Sequence, residues 1–123
     1  MLKSIILVGI GGGIGSILRY IISLIFSKYA IGIFPLGTFI INIIGCFLIG
    51  LFIGNYGKHP LTNENLGFLL IIGFCGGFTT FSTFSLENLK LIQTGQLLTA
   101  FIYISASILL GIVATWLGIF TTK

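Results

Sequence analysis

Charge occurs in this chain almost only as punctuation between long apolar runs, and the lengths of those runs restrict what it can fold into. Lys3 and Lys28 bracket the first run, residues 4–26, with Arg19 inside it. The second covers 34–55 and stops before Lys58-His59-Pro60. The third, 66–89, lies between Glu64 and Lys90, and the fourth, 96–120, carries no charge at all. Each run exceeds the ~20 residues with which a helix crosses the hydrocarbon of a bilayer. Only 7% of the 123 residues are charged and 56% are hydrophobic, too few charges to solvate a water-soluble globule. Barrel strands would alternate apolar and polar over about ten residues, and these runs do not. The expected fold is an all-α membrane protein, a single four-helix transmembrane domain over residues 1–123 set in the lipid bilayer. The opening Met-Leu-Lys leads into a run that Arg19 interrupts, with no small-residue cleavage site. It reads as a retained first helix rather than a secretory signal.

An even number of spans puts both termini and the middle loop on one side, with Lys3, Lys58 and Lys123. The other side holds Lys28 and Lys90, plus Arg19 if its side chain snorkels that way. Cation bias normally sets orientation; here it is nearly balanced, so insertion in both orientations is expected. The cations are scattered singly. They form neither a nucleic-acid footprint nor a polybasic lipid patch. Cys46 and Cys75 fall in separate apolar runs, without metal-ligand spacing or a disulfide framework, and read as buried thiols.

The first span is dense in small residues: Gly9/Gly13, Gly11/Gly15 and Gly12/Ser16 each lie four apart. In lipid, such pairs allow helices to pack closely. A phosphate-cradling loop is excluded, because the spacing is wrong and no Gly-Lys-Ser/Thr follows. No nucleotide is expected. Gly37, Gly45 and Gly50, and Gly111 and Gly118, read as packing positions on the second and fourth spans. Arg19 has two readings: a snorkelling cation, or a vestibule group that attracts an anion or caps the carbonyls of a broken helix.

The third span carries the chemistry. Residues 73–87 read Gly-Phe-Cys-Gly-Gly-Phe-Thr-Thr-Phe-Ser-Thr-Phe-Ser-Leu-Glu. Gly-Gly weakens a helix, and the hydroxyls of Thr79, Thr80, Ser82, Thr83 and Ser85 follow at once. Irregular backbone at membrane depth survives only where it is buried in protein or lines a wet cavity. A break over residues 75–80, at the centre of this helix, is expected, with released carbonyls suited to a cation. A glycine-rich packing face, its hydroxyls bonded back to their own helix, is the alternative reading. Phe81 and Phe84, three apart, share a face. Aromatic edges are electropositive and can attract an anion without holding it tightly, as conduction requires. Thr38 and Asn42 on the second span, and Thr99, Tyr103, Ser107 and Gly111 on the fourth, add polar or small stripes at helical spacing. Together they suggest a shared aqueous track.

These residues bring a resemblance into view. Gly-Gly-Ile-Gly-Ser-Ile-Leu-Arg-Tyr at 12–20, Gly-Thr-Phe-Ile-Ile-Asn-Ile-Ile-Gly at 37–45, and the 73–87 run resemble the small bacterial fluoride channels of the Fluc or CrcB type. The likeness extends along nearly the whole chain. It implies an antiparallel, dual-topology homodimer of four-helix chains in the bacterial inner membrane, with two fluoride pathways. Broken third helices would cross around a structural sodium ion held by backbone oxygens of Gly76 and Thr79. The same resemblance makes Phe81 and Phe84 the fluoride-facing pair and Asn42 a donor along the pore. Tyr103, Ser82, Thr83 and Ser85 would continue the track, with Arg19 near the vestibule. Where some relatives extend the fourth-helix hydroxyl stripe, this chain has Gly111, which leaves Ser107 as its last side-chain contact.

A small proton-coupled multidrug exporter is the chief rival. It needs a titratable carboxylate within the membrane, and the two acidic residues are Glu64 in a loop and Glu87 toward a helix end. A holin-like assembly partner would account for the glycines but not for the aligned polar stripes. An enzyme is excluded by chemistry: the one His, His59, stands beside Pro60 in a loop, and no base–nucleophile pair can be assembled.

Overall fold

The computed structural model describes residues 1–30, 32–58 and 64–123; the His59-Pro60 stretch lies outside them. Among the described residues, four stretches are helical, long and apolar enough to cross a membrane: Leu2–Lys28, Leu36–Tyr56, Glu64–Gln93 and Leu97–Phe120. No strand occurs among the described residues. We label the helices α1 (Leu2–Lys28), α2 (Leu36–Tyr56), α3 (64–78), α4 (Phe81–Gln93) and α5 (Leu97–Phe120). Within α3, Gly67–Cys75 winds as wide π-helical turns, a geometry that is rare and usually short.

Local chemistry sets several helix ends. Thr80 caps α4: its hydroxyl accepts the Thr83 amide at 3.2 Å, satisfying a donor that no earlier turn can meet. Gly95, at φ 79°, stops α4 in the left-handed conformation that favours glycine. The Gln96 amide then closes back on the Leu91 carbonyl at 2.8 Å, and α5 starts directly.

The helices associate as two close pairs, α1 with α3 and α2 with α5. The first seam is almost side-chain-free. A methyl group at Gly11 would strike the Leu69 carbonyl, one at Gly15 the Phe74 carbonyl, and one at Gly77 the Gly12 carbonyl. In the second seam, Gly50 abuts the Thr115 carbonyl and Gly118 the Phe47 carbonyl. Close backbone approach replaces the hydrophobic drive that lipid cannot supply. Gly9 and Gly13 differ: nothing lies within 4 Å of a side chain there, so the glycine spacing marks the packing face only in part.

A small aromatic core joins α4 to the α2–α5 pair at one end. The Tyr103 ring is fully buried, with Leu91 and Ala100, beneath Phe34, Phe39 and Phe84. Phe84 meets it edge-on at 4.9 Å and Phe34 at 5.3 Å, the arrangement that aromatic quadrupoles favour.

Candidate functional site

The third span leaves helical geometry at Thr79 (φ −81°, ψ 160°) and Thr80 (φ −148°, ψ 122°). The 13 residues of α4 rise about 20 Å, less than the ~30 Å hydrocarbon thickness. In a bilayer crossed by 64–93, the extended pair would lie within the hydrocarbon, where each backbone group needs a partner. The sequence places the interruption over residues 75–80; within that window Gly76 and Gly77 remain helical, and the chain turns out at Thr79-Thr80.

The partners explain the position. Asn42 on α2 grips the Thr80 backbone at both ends: its Oδ1 accepts the Thr80 amide at 2.9 Å, and its Nδ2 donates to the Thr80 carbonyl at 3.0 Å. The Thr79 amide (3.0 Å) and hydroxyl (2.8 Å) both donate to the Cys75 carbonyl. Arg19 Nε donates to the Gly77 carbonyl at 3.0 Å, and the Ser16 hydroxyl reaches the same oxygen at 3.4 Å. Of the two readings of Arg19, this geometry matches the carbonyl cap. The Gly76 and Thr79 carbonyls receive no hydrogen bond from the described residues, and no side chain packs within 4 Å of the Gly76 Cβ direction.

Beside the interruption opens a cleft of 620 Å³. Six of the candidate pathway and cation-site residues meet there: Asn42, Gly76, Thr79, Phe81, Phe84 and Ser107. Phe81 and Phe84 lie 5.8 Å apart, their planes tilted by 43°; Phe81 is 78% exposed, while Phe84 leans on Tyr103. The Ser107 hydroxyl is buried with no hydrogen-bond partner among the described residues. An unpaired buried donor of this kind is costly unless something fills its place.

The remaining sequence candidates lie elsewhere. Tyr103 does not line the cleft; its hydroxyl points to Glu87 Oε1 at 3.5 Å. Thr38 is buried on α2, one turn before Asn42. Ser82, Thr83 and Ser85 follow the break along the first turns of α4, with Ser82 and Ser85 exposed and Thr83 half-buried. Ser82 stands 3.4 Å from the Thr80 hydroxyl.

Three features escaped the sequence. Glu87, placed there toward a helix end, lies in mid-α4 against Tyr103. Asn88 is buried, its amide donating to the Phe84 carbonyl at 2.9 Å while its Oδ1 has no partner among the described residues. Cys46 and Cys75 both line the cleft. Glu87 and Asn88 had a signal, polarity on an apolar span. The thiols had none, because their meeting depends on how α2 and α3 pack.

A membrane-spanning bundle with an extended, side-chain-clamped interruption beside an aromatic and hydroxyl-lined cleft is the build of an ion-conducting protein. A family model described as CrcB-like protein, Camphor Resistance (CrcB), matches residues 6–119, and the chain belongs to that family. It is 50% identical over 122 residues to a fluoride-specific ion channel FluC of Flavobacterium psychrophilum, covering 99% of this chain and 98% of that one. It is likewise 50% identical over 123 residues to the FluC of Azobacteroides pseudotrichonymphae, covering 100% and 98%. The FluC of Phocaeicola vulgatus is 43% identical over 122 residues, covering 99% and 100%.

Proposed function

We propose that this multi-pass protein of the bacterial cell membrane is a fluoride-selective ion channel, not an enzyme, through which toxic cytoplasmic fluoride leaves passively. The observation that carries the reading is the Thr79–Thr80 interruption. It collects the Phe81 and Phe84 rings, Asn42 and Ser107 around one intramembrane cleft, in a chain half identical to fluoride-specific channels.

The physics of the break favours an anion on one side and a cation on the other. Splitting the span leaves the positive end of the α4 dipole and the negative end of α3 inside the membrane. Fluoride is small and strongly hydrated, so it needs several short donor contacts in place of water. The α4 N-terminus, the second Nδ2 proton of Asn42, the Ser107 hydroxyl and the two ring edges can offer them without the grip of a fixed cation. Ser82, Thr83 and Ser85, with Thr38 and Tyr103, extend the polar lining, and Arg19 flanks its mouth. Outward flow is downhill when the interior is negative, by about 2.3 kcal/mol per 100 mV.

The released carbonyls suit a hard cation, because unwound backbone and half-helix C-termini are a recurrent sodium environment in membrane proteins. In this reading, Gly76 and Thr79 oxygens from two antiparallel copies hold a structural sodium ion, which screens their mutual repulsion. The near-even cation balance across the membrane supports dual topology. The 78% exposure of Phe81 supports a second copy against the broken span. Against a proton-coupled exporter, whose carboxylate would have to be Glu87, stand the relatives, which are named ion channels.

Efflux from liposomes into a fluoride-electrode bath tests the proposal. Rapid, passive fluoride loss is expected, with chloride excluded by orders of magnitude. Flux that follows an imposed proton gradient, or equal passage of chloride, would overturn it.

A further inference from the structure

We propose that Cys46 and Cys75 form a two-thiol site for soft, two-coordinate d10 metal ions, and that a metal held there obstructs the cleft. Both cysteines are free, one on α2 and one on α3, and both line the same cavity. Their turns abut: a side chain at Gly45, next to Cys46, would collide with the methyl of Thr79, which lies one turn after Cys75. The Cys46 sulfur also faces Gly111 on α5, lying 3.4 Å from where a Cβ would stand there. That places it at the point where three helices converge.

The ligand set selects the ion. Thiolates prefer soft metals. No third His, Cys, Asp or Glu joins them among the described residues, so tetrahedral zinc lacks its ligands. Mercuric, silver and cuprous ions are satisfied by two sulfurs. Neutral mercuric chloride partitions into lipid and can reach a mostly apolar cavity. In the binding step each thiol loses its proton to water, two Hg–Cl bonds break and two Hg–S bonds form, with no electron transferred. Asn42, Phe81, Phe84 and Ser107 line the same cavity, so the metal would stand beside them. That consequence for flux rests on the channel reading; the binding does not.

The test titrates purified full-length protein with mercuric chloride in the presence of competing glutathione and counts alkylatable thiols. One equivalent should shield both cysteines. Cys46→Ser and Cys75→Ser should each raise the midpoint by about 10²–10⁴-fold, the loss expected when two linked contacts become one. A need for two equivalents, one thiol left alkylatable, or unshifted midpoints in the single variants would overturn the site. In liposomes, mercuric chloride should abolish fluoride efflux and dithiothreitol should restore it. The double serine variant, compared with its own untreated flux, should be insensitive; continued block there would overturn the obstruction. Shielded thiols in a protein that passes no fluoride would support the metal site and refute the channel reading alone.

Discussion

Replacing Asn42 with alanine removes both hydrogen bonds that hold the Thr80 backbone, at 2.9 and 3.0 Å. The Thr80 amide and carbonyl are then orphaned at a depth where lipid offers no substitute. Leaving a buried polar group unmade costs roughly 1–3 kcal/mol, so the two together predict a loss of about 2–6 kcal/mol. Unfolding in mixed detergent micelles reads that loss globally, and amide exchange at Thr80 reads it locally. Asn42→Asp separates the two bonds. A carboxylate still accepts the Thr80 amide but turns an oxygen toward the Thr80 carbonyl. Amide protection should therefore persist while the carbonyl contact is lost, and a negative charge in the cleft should block fluoride efflux. If Asn42→Ala left Thr80 as slow to exchange as before, with an unchanged unfolding midpoint, the clamp would not be what holds the break open.

Other substitutions probe other links. Gly11→Ala and Gly15→Ala drive a methyl into carbonyls of α3 and should destabilise the bundle by about 1–3 kcal/mol, the usual cost of overpacking. Gly9→Ala, with open space at its Cβ, should be neutral or gain up to about 1 kcal/mol from helix propensity; the same detergent unfolding assay ranks all three. Phe81→Ile and Phe84→Ile should each abolish fluoride efflux in liposomes. Only the Phe84 change should also lower stability, by about 0.5–1.5 kcal/mol for the lost edge-on contact with Tyr103. Arg19→Met removes the 3.0 Å bond to the Gly77 carbonyl; a loss of about 1.5–3 kcal/mol is expected for a charged donor, and an unshifted unfolding midpoint would return Arg19 to the snorkelling role.

The number of spans was legible because charge is disfavoured in hydrocarbon, and Lys3, Lys28, Lys58 and Lys90 mark the ends of the apolar runs on their own. Several packing glycines were legible for a similar reason: only a missing side chain permits carbonyl contact, as at Gly11 and Gly15. The interruption of the third span was legible only as a window, residues 75–80. Within it, local propensity favours Gly76-Gly77, whereas the side chain that grips the extended backbone is Asn42, 38 residues away in sequence. The surroundings of Tyr103 were hidden in another way. Its spacing with Ser107 marks a shared helix face, but periodicity does not reveal that Phe34, Phe39 and Phe84 close over the ring. The cleft thiols were hidden for the same reason, since their neighbourhood exists only once α2 and α3 are packed.

The seam between α1 and α3 has a consequence for how the protein can change over generations. Where carbonyl meets Cα with nothing between, hydrogen is the only substituent that fits, and the next smallest, a methyl, already collides. No ladder of intermediate sizes leads away from such a joint. Single replacements along it each carry a cost, which steers adaptation toward the cleft, the loops and the outward-facing flanks.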